Sequence, residues 1–213
     1  MINVKELSYQ YPDGPLIQFP DFTVKAGEAL LVLGESGCGK TTLLHLLAGL
    51  LRPTTGKIRI GDAVLSKMDD AQMDQFRGEH IGLVYQKNYF IASLSVLDNL
   101  IISPYGTDRG RVKKIAQRLG IADTLKRSPN QLSVGQQQRA SIGRAVMNTP
   151  RLLLADEPTS ALDHTNCQNV IQLLLEEATT NNAALIIVTH DDRLKTSVRN
   201  HIELFPIKTK MGG

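Results

Sequence analysis

The sequence predicts an α/β protein with a mostly parallel sheet, an antiparallel β region at the N-terminal end and an inserted helical lobe. Three observations predict it. Apolar runs at residues 29–33, 152–155 and 184–188 read as strands covered on both faces. Helical patterns at residues 41–51 and 166–179 alternate with these runs, the order that builds a parallel sheet. Between about residues 87 and 147 the pattern is helical throughout, with Val112, Ile115, Ala116 and Leu119 at three-to-four spacing.

The elements follow in order. Short strand-like pieces at 2–7, 16–19 and 22–24 are separated by Pro12-Asp13-Gly14 and Pro20-Asp21, which read as turns between antiparallel strands. The run at 29–33 meets a glycine-rich turn and then the helix at 41–51, which Pro53 and Gly56 end. A return strand at 57–60 and a short buried strand at 81–85 come next, and the last strand is expected near 202–205. This divides the chain into a core at about 28–86 and 150–213, an antiparallel region at about 1–27 and 56–66, and a lobe at about 87–149.

Composition narrows the function. The 213 residues are 42% hydrophobic and 21% charged with a net charge of +3, the profile of a water-soluble globular chain. The densest basic group, Arg109, Arg111, Lys113 and Lys114, reads as the solvated start of a helix, so nucleic acid is not an expected partner. Cys38 and Cys167 form neither a disulfide framework nor a metal cluster, which suits a cytoplasmic setting. No apolar stretch is long enough to span a bilayer.

Gly34-Glu35-Ser36-Gly37-Cys38-Gly39-Lys40-Thr41, followed by Thr42, fits the phosphate-binding loop G-x-x-x-x-G-K-[ST] between a buried strand and a helix. Its glycines let backbone N–H groups converge on phosphate oxygens at a helix N-terminus. Lys40 can reach the terminal phosphates of ATP and the Thr41 hydroxyl can ligate Mg²⁺. The core is therefore expected to be of the phosphate-loop NTPase type.

The strand at 152–155 ends in Asp156-Glu157, and ligands of open α/β sheets bind beyond the carboxyl ends of strands. Successive strand residues point to opposite sides, so Asp156 is read as the metal-side acid and Glu157 as the general base. His190 stands at the end of the strand at 184–188 and can bond a terminal phosphate oxygen; the other four histidines read as structural. Gln86, at the end of the strand at 81–85, can contact Mg²⁺ or the attacking water. Leu132-Ser133-Val134-Gly135-Gln136 reads as a helix start capped by Ser133, a place that would welcome a phosphate. Lying in the inserted lobe, that loop is expected to reach only another molecule's nucleotide. Cys38, beside a helix N-terminus and Lys40, is expected to be the more reactive thiol and to be shielded by ATP.

These segments, in this order, together with Ser160-Ala161-Leu162-Asp163, resemble the ABC ATPase family across almost the whole chain. The resemblance implies a head-to-tail homodimer with two ATP molecules sandwiched, each held by one copy's phosphate loop and by Ser133, Gly135 and Gln136 of the other. It places Tyr11, with Tyr9 the competing choice, against adenine, and Asp163 between the two sites. It implies an integral membrane permease docking around residues 87–100, with the chain peripheral on the cytoplasmic face of the membrane. The stretch 94–100 looks most like the lipoprotein-release and macrolide-export type. Two features depart from the family pattern: Val134 replaces a glycine in the signature, and the segment between residues 99 and 121 looks short. The expected function is an ATP-hydrolysing transporter subunit. A non-transport ABC ATPase acting in cell division or assembly is the alternative, and a small-molecule kinase is disfavoured by the signature loop.

Overall fold

The computed structural model describes residues 1–102, 109–160 and 164–206. In chain order its first half contains β1 (Ile2–Gln10), β2 (Leu16–Gln18), β3 (Phe22–Val24), β4 (Ala29–Gly34), α1 (Lys40–Leu47), β5 (Thr55–Ile60), β6 (Ala63–Val64), α2 (Asp70–His80) and β7 (Ile81–Val84). It continues with α3 (Val96–Ile101), α4 (Arg109–Arg118), α5 (Val134–Val146), β8 (Leu152–Asp156), α6 (His164–Thr180), β9 (Ala184–Thr189) and β10 (His201–Leu204).

Five strands form a parallel sheet in the order β10-β4-β9-β8-β7. Strands β4, β8 and β9 carry the predicted apolar runs and are buried on both faces, as central parallel strands must be. Their alternation divides the interior. Leu31, Leu33, Leu153, Ala155, Leu185 and Ile187 face a core filled by α3–α6. Leu30, Val32, Leu152, Leu154, Ile186 and Val188 face a second core containing α1 and the antiparallel strands. That second sheet runs β2-β1-β5-β6, with β3 also paired to β1.

The helical lobe is pinned to the rest of the molecule by close packing and by cations. A Cβ on Gly143 of α5 would meet Leu119 at 3.0 Å and Leu100 at 3.3 Å, and one on Gly82 of β7 would collide with the Ala145 carbonyl oxygen. The bare glycines therefore let α5 press against both the lobe and the sheet edge. Arg118 of α4 makes a two-pronged ion pair with the buried Glu177 of α6, its Nη2 donating to Oε2 at 2.7 Å. Arg111 donates to the Val146 and Met147 carbonyls at the end of α5 and to Asn181 at 2.8 Å.

Several expectations are corrected. Helix α1 stops at Leu47 instead of residue 51, because Gly49 takes φ +65° and the Leu50 N–H turns back to the His45 carbonyl at 2.8 Å. Strand β1 continues past residue 7 to Gln10 after a bulge at Glu6 (φ +50°), so that Ser8–Gln10 pair with β2. Helix α2 was not anticipated: only Met73 and Phe76 are buried on it, too few for a visible stripe. Its capping box, Asp69 with Gln72, was the available signal. Arg111 is an anchor, not part of a solvated helix start. Residues 161–163, and with them the expected role of Asp163, lie outside the described residues, as do residues 103–108 of the short segment.

Candidate active site

The carboxyl ends of the parallel strands open onto one cleft of about 810 Å³. Register explains the convergence: Leu33 of β4 sits opposite Thr189 of β9, and Val188 of β9 opposite Asp156 of β8, so three strands end at nearly one level. The glycine-rich loop and the start of α1 contribute Glu35, Ser36, Gly37, Gly39, Lys40, Thr41 and Thr42 to its lining. Gln86, Asp156, Glu157 and His190 line it from the strand ends, and Tyr11 lines it as well.

The loop before α1 ends at a helix N-terminus that could hold an anion. Gly39, at φ +99°, turns the chain into the helix in a conformation that side chains other than glycine rarely adopt. Lys40 is the first helical residue, and its buried Nζ donates to the carbonyls of Gly34 at 2.7 Å and Glu35 at 2.9 Å. Among the described residues its nearest carboxylate oxygen is Glu157 Oε1, 3.9 Å away. Gly34 and Cys38 contribute backbone to the loop but do not line the cleft. The Cys38 thiol is 2% exposed and packs where a Cβ on Gly34 would stand, with Leu204 alongside. The expectation of a reactive Cys38 is therefore corrected: the helix turn sends this side chain into the core. Cys167 is buried as well.

Asp156 and Glu157 do not point to opposite sides as strand alternation predicts. Strand β8 ends at Asp156, and Glu157 takes φ +44° while its N–H donates to the Val188 carbonyl at 2.9 Å. That left-handed turn returns the second carboxylate to the same cleft as the first. Burial pushes the Asp156 carboxyl above the usual carboxylate range, with the Glu157 charge acting in the same direction; His45 and Lys40 oppose them. Glu157 is held on both oxygens, Oε2 by the Thr189 hydroxyl at 2.9 Å and Oε1 against His190 Nδ1 at 2.9 Å. The Gln86 amide donates to Ser160 Oγ at 3.2 Å, linking the end of β7 to the segment that follows Glu157. Tyr11, not Tyr9, lines the cleft; its hydroxyl lies 3.1 Å from Thr42 Oγ1 and its ring stands edge-on to Tyr9. Thr189 was not singled out from sequence, although its place one residue before His190 was a signal.

Ser133, Gly135 and Gln136 are not brought to this cleft. They sit at the N-terminus of α5, where Ser133 accepts from the Gln136 N–H and Gln136 Oε1 accepts from the Ser133 N–H. Val134 beside them is 59% exposed. A further groove, of about 450 Å³ between α1 and α2, is lined by Leu50, Arg52, Met73 and Arg77 and holds none of these groups.

A loop with the phosphate-binding pattern and a capped helix start outside its cleft call for comparison with known proteins, and the model of the family described as "ABC transporter" matches residues 17–160. The chain belongs to the ABC transporter family. It is an ATP-binding subunit of that family and an ATPase. It is 33% identical to the lipoprotein-releasing system ATP-binding protein LolD of Hydrogenovibrio crunogenus, over 96% of this chain and 93% of that protein. It is 38% identical to the macrolide export ATP-binding/permease protein MacB of Rhodopseudomonas palustris, spanning 95% of this chain but only 32% of that protein. The ABC cassette MJ0796, solved as a dimer in a post-hydrolysis state bound to ADP and Pi, superposes with a TM-score of 0.83 at 30% identity, covering the whole of both chains. No helix among the described residues of this ABC ATPase is long and apolar enough to cross a membrane.

Proposed function

We propose that this subunit closes as an ATP-sandwich homodimer on the cytoplasmic face of a membrane, and that closing and reopening drive an integral permease. One observation carries the reading. A single cleft gathers Lys40, Thr41, Gln86, Asp156, Glu157 and His190, while the signature residues Ser133, Gly135 and Gln136 stand outside it at a helix start. A phosphate bound by the first set leaves the second set for the nucleotide of another copy. The dimeric MJ0796 cassette supports this arrangement.

Within the cleft, Lys40 and the amides of residues 36–41 take the phosphates, and Tyr11 packs against adenine. The oxygens of Thr41, Asp156 and Gln86 are hard donors that suit Mg²⁺, and the half-buried carboxyl of Asp156, pushed up by desolvation, gains from a cation beside it. When bound, the ion supplies charge neutralisation of the phosphate oxygens. Glu157 accepts the proton of the attacking water, and His190 donates to the terminal phosphate. Most of the catalysis is positioning and charge stabilisation.

The permease is placed against the lobe, around residues 87–100, where Tyr89 and Ile91 are exposed apolar side chains. Arg144 of α5 donates to the Tyr89 carbonyl and lies 5.0 Å from the Phe90 ring centroid. A push on that segment therefore reaches the helix that carries the signature. Ligand-driven closure has force only through the difference in dimer affinity between the ATP and ADP states.

Glu157→Gln tests the reading. It should bind ATP, slow steady-state phosphate release by roughly 100-fold or more, and accumulate as an ATP-bound dimer in light-scattering chromatography. Near-normal phosphate release would remove Glu157 as the base.

A further inference from the structure

We infer that Thr189 is a positioning residue for hydrolysis, its hydroxyl selecting which oxygen of Glu157 acts as the base. The inference rests on the reading of Glu157 as the base. Thr189 closes β9, the middle strand of the sheet, and is fully buried. Its Oγ1 lies 2.9 Å from Glu157 Oε2 and accepts from the Asp191 N–H at 3.1 Å. With an amide donating to it, the hydroxyl presents its own proton to the carboxylate, which is an acceptor only. The amide is itself well fixed. The Asp191 carboxylate accepts from Arg193 Nε at 2.8 Å and Nη2 at 2.6 Å, and its Oδ1 also accepts the Arg193 N–H at 3.0 Å.

The two oxygens of Glu157 therefore have partners of different kinds. Oε1 faces His190 Nδ1 at 2.9 Å and Lys40 Nζ at 3.9 Å, both groups that an incoming terminal phosphate would draw away. Oε2 is held by Thr189, which does not line the cleft and has no reason to leave when phosphate enters. The Thr189 bond persists while the other contacts are exchanged, so Oε2 stays anchored and Oε1 is released to take the proton of water. The backbone alone does not fix this choice. Glu157 is tied to Val188 by its N–H and held at φ +44°, but its side-chain torsions still rotate. Proton transfer needs the base within hydrogen-bond reach of water, and a misplacement of about 1 Å costs roughly 100-fold.

Thr189→Val keeps the shape and deletes the hydroxyl. It should lower kcat by about 10- to 100-fold while ATP affinity and KM stay within about twofold, and it should accumulate the ATP-bound dimer as Glu157→Gln does. Thr189→Ser should recover most of the lost turnover. In the Glu157→Gln background Thr189→Val should add no further loss, as expected for residues acting through one group. If the valine variant melts too early to assay, Thr189→Ala and Thr189→Ser, both smaller than threonine, make the same comparison. Parental turnover in Thr189→Val beside an inactive Glu157→Gln would overturn the role of Thr189 and leave the base standing. So would a serine variant as slow as valine, or a parallel fall in ATP affinity, since either marks packing. An active Glu157→Gln would instead remove the base itself.

Discussion

Asp156 shows how a residue can be placed well for chemistry and poorly for stability. Its carboxyl is pushed up mainly by burial and then by the Glu157 charge. A carboxyl raised in the folded protein favours folding while protonated, and that contribution is lost as pH rises through the raised value. Without nucleotide or Mg²⁺, Asp156→Asn should therefore melt above the parent at pH 7. The advantage should vanish below the ordinary carboxylate range, about pH 4, in melting curves taken across pH. The same variant should lose most Mg²⁺-dependent hydrolysis. That the phosphate loop, the paired acids and His190 would meet at one cleft was legible in sequence because each sits at a strand end. Their directions were not. Glu157 faces the cleft only because its backbone leaves the strand geometry, and Cys38 faces the core only because Gly39 starts the helix where it does. Single-residue torsions of this kind have no period in the sequence to reveal them.

Among the elements, α4 and α6 meet through charge as well as oil. Glu177 is buried, and Arg118 and Asn181 hold its carboxylate. Arg118→Ala removes one partner and leaves the acid with an amide alone, which costs about 3 kcal/mol in a well-buried pair. With Arg118 itself partly solvated, a drop of roughly 4–8 °C in melting temperature is expected, while ATP affinity stays near parental. A drop under about 1 °C would mean that the pair adds nothing beyond packing. The strongly patterned elements, β4, β8, β9 and α6, were legible because burial on both faces leaves an unbroken apolar run and burial on one helical stripe leaves a clear period. Helix α2 was not, since a helix resting on two side chains is written in its cap instead of its face. The end of α1 is hidden in the sequence because Leu50 and Leu51 prolong the apolar run beyond the turn that Gly49 imposes.

For the whole molecule, the distance between function and sequence is shortest where two surfaces must cooperate. Ser133 is exposed at the start of α5, away from the cleft, so a large cation there should spare the chain's own nucleotide site. Ser133→Arg is expected to bind ATP within about threefold of the parent, since losing the cap costs only about 1 kcal/mol of helix stability. It should nonetheless fail to dimerise with ATP and lose hydrolysis by 10-fold or more. Normal turnover by this variant would rule out a shared site. The parallel sheet has a further consequence, because it stands as a wall between two interiors, with successive side chains of β4, β8 and β9 pointing alternately into one and the other. Backbone amides in those strands can trade their protons for deuterium only when both sides come apart. Those of α3, α4 and the first turns of α5 need only the lobe side to loosen. The lobe should therefore exchange early and the wall last, so this subunit can breathe in its helical lobe while the strands that end at the cleft stay closed.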